Sequence, residues 1–382
     1  MKTTPKNTEL IFTEIDNQIL VWFQNSNRYV ILEKNVFKVI HKIKKQISKE
    51  AIILWISETF TVEKLDAKEI LKHCTDLLQE IERKEASDIE KKEIIPSLES
   101  QTFYSEKQYK INDNFFKIQY DSEKSENLIH SKLEHLNTEK NKKIDYHHFQ
   151  IIQHQNRVYL FENKHLIDSW KNGDYHYFHG KLSMLIINQI HHKKESDWLG
   201  IFHASAISDG ENSMLFMGDS GNGKSTLSAL LMTEKLYSFA DDFVPILREN
   251  LHVYNFPVGI SIKEKSIPVL ENFFPKLATK KAFYINSKKT VRYQEPSILT
   301  SKNYPCKAFV FVKYDANIEE NTLEEMSKIE AFQKIVPESW LYDSEENAEV
   351  FLDFFKNTPC YNLVYSDNSK MISIVKNLFQ NA

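Results

Sequence analysis

The chain has 382 residues, with 49 Lys+Arg against 53 Asp+Glu and a formal net charge of −4, so bulk nucleic acid is not an expected partner. With 41% hydrophobic and 12% aromatic residues it carries too much apolar surface to be disordered along most of its length. No apolar stretch reaches the roughly 18 residues of a membrane span, and MKTTPKNTELIF lacks a secretory apolar run, which predicts a cytoplasmic protein with no membrane partner.

Residues 9–32 predict three short strands, ELIFTEI, QILVWF and RYVIL, with turns at Asp16-Asn17 and Asn25-Ser26-Asn27. Helical patterns follow at 33–47, 49–59 and 66–83, the last with Asp66 as N-cap and Glu69 three residues on. Residues 1–83 thus predict a small winged-helix-like domain. A charged linker is expected at 84–101, closed by Pro96. From 102 to 212 the pattern is aromatic and strand-rich (NFFKIQY, HFQIIQ, RVYLFEN, HLIDSW, YHYFHG), with a helical spacing at 181–193. From 213 to 382 strands and helices alternate: SMLFM, a helix after Lys224, YSFA, FVPIL, LHVYNF, a helix near 264–273, KAFVFVKY, helices near 324–334 and 346–356, CYNLVY and a last helix from 369. The fold class expected is therefore α/β in this part and α+β overall.

Glycine is scarce. All eight lie between Gly173 and Gly259, and three fall within 218–223, which marks a place where the main chain needs unusual dihedrals or close approach to a ligand. Gly218-Asp219-Ser220-Gly221-Asn222-Gly223-Lys224-Ser225, followed by Thr226, fits G-x-x-x-x-G-K-[ST] without a mismatch. An apolar strand precedes it and an amphipathic helix follows. Successive backbone N–H groups can then hold phosphate oxygens at a helix N-terminus, with Lys224 on the β/γ-phosphates and the Ser225 hydroxyl on Mg²⁺. The cofactors expected are ATP and Mg²⁺.

Next, YSFADDFVPI ends a short strand in Asp241 and Asp242. Adjacent residues at a strand end point to opposite sides, so one carboxylate can bind metal while the other accepts a proton from an attacking hydroxyl. Asp241 is set beside Ser225 as the metal side, and the exchange of roles between the two stays open. His203, in IFHASAIS fifteen residues before Gly218, is placed on the strand paired with that of the phosphate loop.

Together FHASAI, GDSGNGKST and FADDFVPI resemble the catalytic segment of HPr kinase/phosphorylase and its wider superfamily. The resemblance implies a P-loop kinase domain over 102–382 with a β-rich part at 102–212 and a nucleotide-binding α/β part at 213–382. It puts His203 by the acceptor and phosphates, Lys224 and Ser225 on ATP and Mg²⁺, and a base in the Asp241/Asp242 pair. Two departures set the chain apart from HPr kinase proper: Thr226 stands where that family has Glu, and no glycine follows Gly259. The departures leave HPr as substrate, the reverse phosphorylase activity and a hexamer open, along with a homo-oligomer of any kind. Positive charge for the transferring phosphoryl falls to Lys263, Arg248 or Arg292, each weighed against a solvated surface charge.

The first 83 residues resemble a PqqD-like domain, the element that delivers precursor peptides to modifying enzymes. That implies a leader peptide added as a strand beside Tyr29–Leu32 and lying along 66–83. The leading expectation is a kinase of a Ser or Thr hydroxyl on a ribosomally made precursor peptide. A small-molecule or HPr-type protein serine kinase and a non-catalytic nucleotide-gated binding module are the alternatives.

Overall fold

The computed structural model describes residues 10–84, 95–139, 145–286, 289–297, 299 and 301–381. Residues 85–94 of the expected linker lie outside this set. The chain is mixed α and β, and it divides into two compact units that are not contiguous in sequence. One gathers the described residues before Lys91 with Met326–Pro337 and Leu341–Thr358; the other gathers those of Lys92–Glu325, Glu338–Trp340 and Pro359–Ala382. No helix among the described residues is long and apolar enough to cross a membrane.

In the first unit, β1 (Ile11–Ile15), β2 (Gln18–Phe23) and β3 (Arg28–Glu33) form an antiparallel meander. Asp16 and Asn17 both take positive φ, 48° and 64°, the geometry of a two-residue hairpin whose twist matches its strands. Alternation then sorts the side chains. Ile19, Val21, Phe23 and Leu32 join one core with α1 (Lys34–Lys44), α2 (Lys49–Phe60) and α3 (Lys64–Glu82). Helix α3 starts three residues earlier than the Asp66 cap implies: Glu63 is the N-cap, without a side-chain bond, and Asp66 sits in the first turn, where a carboxylate favours the helix dipole.

The second unit opens with β4 (Ser105–Ile111), β5 (Asn114–Tyr120), α4 (Glu123–Leu133), β6 (His147–His154), β7 (Arg157–Glu162), β8 (His165–Lys171) and α5 (Tyr175–His191). The five strands form one sheet in chain order. YHYFHG, expected as a strand, is instead the start of α5. Phe178, Leu182, Ile186 and Ile190 recur every four residues and are all buried, so the helical stripe takes in the aromatic run. Helix α4 was not foreseen; it is polar, and a Ser122/Ser125 capping box starts it.

The chain continues through β9 (Trp198–Phe202), β10 (Ser205–Ser208), β11 (Ser213–Met217), α6 (Lys224–Met232), β12 (Tyr237–Asp241), β13 (Val244–Leu247) and β14 (His252–Tyr254). There follow β15 (Ile260–Lys263), α7 (Ile267–Leu270), β16 (Phe283–Asn286), β17 (Lys289–Gln294), β18 (Asn303–Tyr314) and β19 (Thr322–Glu325). The remainder is α8 (Lys328–Ile335), β20 (Ser339–Leu341), α9 (Glu345–Asn357), β21 (Cys360–Tyr365) and α10 (Asn368–Asn381). The helix expected near 264–273 shrinks to α7 after a 3₁₀ turn. The large sheet runs β12-β10-β11-β18-β14-β13-β9-β20, with β21 beside β18 and β19 beside β21; β15, β17 and β16 form a separate small sheet.

Helices α8 and α9 belong to the first unit. There the Tyr29 ring meets Phe332 and Phe351 edge-on, at 6.5 and 5.1 Å between centroids. The face of the β1–β3 meander that carries Tyr29 is thus covered by residues three hundred positions downstream. Burial, reinforced by the Asp343 charge, raises the Tyr29 phenol above its ordinary range.

Candidate functional site

Strand direction assembles the site. β10 is antiparallel to both β11 and β12, so those two strands end where β10 begins. β18 runs parallel to β11, and β21 parallel to β18. The carboxyl ends of four strands therefore share one edge of the sheet, the place where open α/β sheets bind ligands. The phosphate loop leaves β11 there, and Asp241 closes β12 there. His203 falls at the same end, in the two-residue break between β9 and β10 and not on the strand itself. Its backbone N–H donates to Glu338 O at 2.8 Å, and its side chain is exposed.

Glycine is required at the two ends of the loop. Gly218 has φ +146°, and a Cβ there would lie 2.6 Å from the Val312 carbonyl oxygen. Gly223 has φ +91°, and a Cβ there would lie 2.6 Å from the Tyr365 hydroxyl. Between them Asn222 N–H donates to Asp219 O at 3.1 Å and Tyr314 N–H to Asn222 O at 3.1 Å, tying the loop to the end of β18. Helix α6 then starts at Lys224 with Gly223 as N-cap. The Lys224 ammonium folds back onto Gly218 O.

A cavity of about 150 Å³ lies over this loop. Of the residues singled out from sequence, His203, Asp219, Ser220, Gly221, Gly223, Lys224, Ser225, Thr226 and Asp242 line it. Gly218, Asn222 and Asp241 do not, and stand behind it. Asp241 is 3% exposed and accepts hydrogen bonds from Ser205 Oγ at 2.6 Å, Ser261 N at 3.2 Å and Ser225 Oγ at 3.3 Å. Asp242 is partly exposed and adopts φ +67°, left-handed backbone uncommon for a residue with a side chain and often found at functional sites. The two carboxylates thus differ as adjacent strand-end residues should: one inward on the Ser225 hydroxyl, the other on the cavity.

The electrostatics follow from burial. Desolvation, with the neighbouring Asp242 charge, raises the Asp241 carboxyl above the usual carboxylate range, against the hydrogen bonds from Ser205 and Ser261 and the Lys224 charge. Burial lowers the Lys224 ammonium, opposed by Asp242, Asp241, Glu338 and Asp219. Of these acids, Asp219 and Asp242 line the cavity with Lys224.

Of the three cationic candidates only Lys263 lines the cavity, with Nζ 3.1 Å from Ser220 Oγ. Arg292 pairs with Glu264 and donates from Nε to Lys280 O; neither it nor Arg248 is in the lining. Ser261 and Ser266 do line it, and Ser266 is 2.7 Å from Thr226 Oγ1. Sequence reading missed both, since they arrive from the segment around β15 with no motif of their own.

The residues present fit a nucleoside triphosphate with Mg²⁺. The loop admits no side chain at Gly218 or Gly223, where a Cβ would meet Val312 O or the Tyr365 hydroxyl, and its lysine and helix N-terminus suit phosphate. No cluster of three or more His, Cys, Asp or Glu among the described residues could hold a metal by itself. Ser225 with Asp241 would hold Mg²⁺ only together with phosphate oxygens, its usual manner of binding.

No protein-family model matches the chain, and no curated protein matches it. Among solved structures, the HPr(Ser) kinase/phosphatase from Coxiella burnetii aligns with 47% of this chain and 91% of its own, at 10% identity and a TM-score of 0.23. A likeness of that extent carries no weight on function.

Proposed function

We propose that the chain is an ATP- and Mg²⁺-dependent phosphotransferase whose acceptor is a Ser or Thr hydroxyl of a ribosomally made precursor peptide. The observation that carries the reading is the convergence, at one sheet edge, of a glycine-built phosphate cradle, a buried lysine, a hydroxyl–carboxylate pair suited to Mg²⁺ and a second carboxylate facing the same cavity. Lys224 and the N-terminus of α6 bind the phosphates. Ser225 and Asp241 would hold the metal, which supplies charge neutralisation between the β- and γ-phosphates. Asp242 orients the acceptor hydroxyl and takes its proton. Lys263 and His203 cover the exposed side of the phosphates.

The first unit supports a peptide as acceptor. β3 is an outer strand, paired to β2 alone among the described residues, and α3 is tied to its start by a bond from Arg28 to Glu80 O. A leader added to that edge would gain main-chain hydrogen bonds and raise the acceptor's effective concentration.

Two measurements test this. Incubation with γ-labelled ATP and a precursor peptide gives a labelled peptide, and Asp242→Asn lowers that transfer by roughly 10²–10⁴-fold, the span of general-base catalysis, with the nucleotide affinity kept. A protein that binds no nucleotide with Mg²⁺ present, or an Asp242→Asn variant as active as wild type, ends the reading. Labelling of a metabolite and not of any peptide replaces the acceptor.

A further inference from the structure

The sheet edge that carries the phosphate loop has two flanks. On one, β10 and then β12 bring Asp241 to Ser225. On the other, β18 lies parallel beside β11 and β21 parallel beside β18. Both of these strands end in a tyrosine, and Tyr314 is paired in register with Tyr365. Tyr365 is 1% exposed, whereas Tyr314 is 46% exposed. The two rings meet edge-on, with 5.5 Å between centroids and 67° between planes. Tyr314 stands next to the phosphate loop, since its Cβ is 3.3 Å from where a Cβ on Gly223 would lie. Its backbone is fixed on both sides: Tyr314 N–H donates to Asn222 O at 3.1 Å, and Asp315 N–H to Tyr365 O at 2.9 Å. A ring anchored in this way and still open to water is a surface on which something flat can rest.

We propose that Tyr314 is the nucleobase platform, with the purine of the bound nucleotide stacked on its ring. The inference rests on the phosphotransferase reading above and needs from it only the bound nucleotide. A triphosphate on the loop has two ends. The metal-bearing end is drawn to Ser225 and Asp241, on the β12 flank. The α-phosphate and its nucleoside then leave toward the β18 flank, where Tyr314 offers its ring. A purine face against a tyrosine gains contact area and dispersion. Little entropy is lost in making that contact, because the tyrosine is already held by Tyr365 and by the loop.

The experiment titrates the full chain by calorimetry with MgATP and with magnesium tripolyphosphate, which presents phosphates to the loop without a base. Tyr314→Ala keeps the Cβ beside Gly223 and removes the ring. It weakens MgATP binding by roughly 5–150-fold, the range of one base–aromatic stack, and leaves tripolyphosphate within about twofold of wild type. Tyr314→Phe keeps the ring and stays within about threefold of wild type for both ligands. Unchanged MgATP affinity in Tyr314→Ala overturns the inference. An equal loss for both ligands also overturns it, by making the ring a prop for the loop. So does a Phe variant as weak as the Ala variant, which would place the binding in the hydroxyl. A raised KM for the acceptor with MgATP affinity kept would give the ring to the acceptor, and overturns it too. Failure of the underlying reading looks different: wild type binds neither ligand, or Tyr314 behaves as described while Asp242→Asn transfers as well as wild type. The first of these overturns the platform with the reading; the second leaves the platform in force.

Discussion

Two walls meet at Asp242, and they are built in opposite ways. On the phosphate side, residues 218–226 are contiguous, and the groups that matter are main-chain N–H donors, one lysine and one hydroxyl. On the other side, around a second cavity, α4, α5 and the segment after Asp242 contribute single side chains from positions more than a hundred residues apart in the chain. A wall of backbone restricts residue type by dihedral angle and space, so one substitution ruins it. A wall of side chains restricts only volume, so the same space can be reshaped by exchanging one aliphatic residue for another.

The sharpest break in that comparison is Lys224→Ala. Lys224 is buried among carboxylates and has no substitute in the loop. Its loss lowers phosphoryl transfer by roughly 10²–10³-fold, as removal of one preorganised charge stabiliser does, measured at saturating nucleotide. An effect below about tenfold would mean that the loop does not hold the transferring group.

A smaller effect tests the backbone wall alone. Gly223→Ala places a methyl at φ +91° and 2.6 Å from the Tyr365 hydroxyl. The left-handed backbone costs about 1–2 kcal/mol, and the clash adds to it. Nucleotide affinity falls by roughly tenfold for each 1.4 kcal/mol that binding must recover. Adding Tyr365→Phe removes the clashing oxygen and leaves the dihedral cost, so the double variant recovers part of the affinity and not all. A full recovery would show that only space, and not backbone conformation, keeps glycine there; no recovery would put the whole cost on the dihedral.

The same contrast explains what could be read from the sequence. The phosphate loop, its strand and its helix were legible because their chemistry is written in adjacent residues. The Asp241/Asp242 pair was legible as a strand end, although only the fold shows Asp241 turned onto Ser205, Ser225 and Ser261 while Asp242 faces the cavity. Ser261 and Ser266 were not legible, because serines in and after a short strand carry no signal until the fold brings Ser266 beside Thr226 and Ser261 onto Asp241. YHYFHG misled because a six-residue aromatic window satisfies both strand and helix periods, and only the downstream Leu182, Ile186 and Ile190 settle which one holds. The partners of Tyr29 were out of reach altogether. Phe332 and Phe351 are ordinary helix-core residues whose role in the first unit depends on the chain returning to it.

The smallest effect is also the most specific, since it concerns the carboxylate that stands behind the cradle. Asp241 is nearly fully buried, and burial holds its carboxyl above the ordinary range. A carboxyl raised in the folded state binds its proton more tightly there than in the unfolded chain. Its contribution to stability is therefore greatest below the unfolded value of about 3.9 and is lost as pH rises through the folded one. In the metal-free protein, Asp241→Asn thus raises the melting temperature at pH 8, and the gain shrinks as pH falls toward 4. Against this, an asparagine cannot accept from both Ser205 and Ser261, and one lost hydrogen bond costs about 0.5–1.5 kcal/mol. Because each pKa unit corresponds to about 1.36 kcal/mol, the charge term prevails once the upward shift exceeds about one unit. The gain is then roughly 2–4 °C per kcal/mol relieved. Added Mg²⁺ and nucleotide reverse the order by stabilising wild type more than the variant, and that margin narrows in acid, where the carboxyl keeps its proton and the metal must compete for it. Calorimetric melting of the two proteins across pH 5–8, with and without MgATP, decides the point: a variant no more stable than wild type at pH 8 without metal would mean that Asp241 is not a buried charge awaiting a cation.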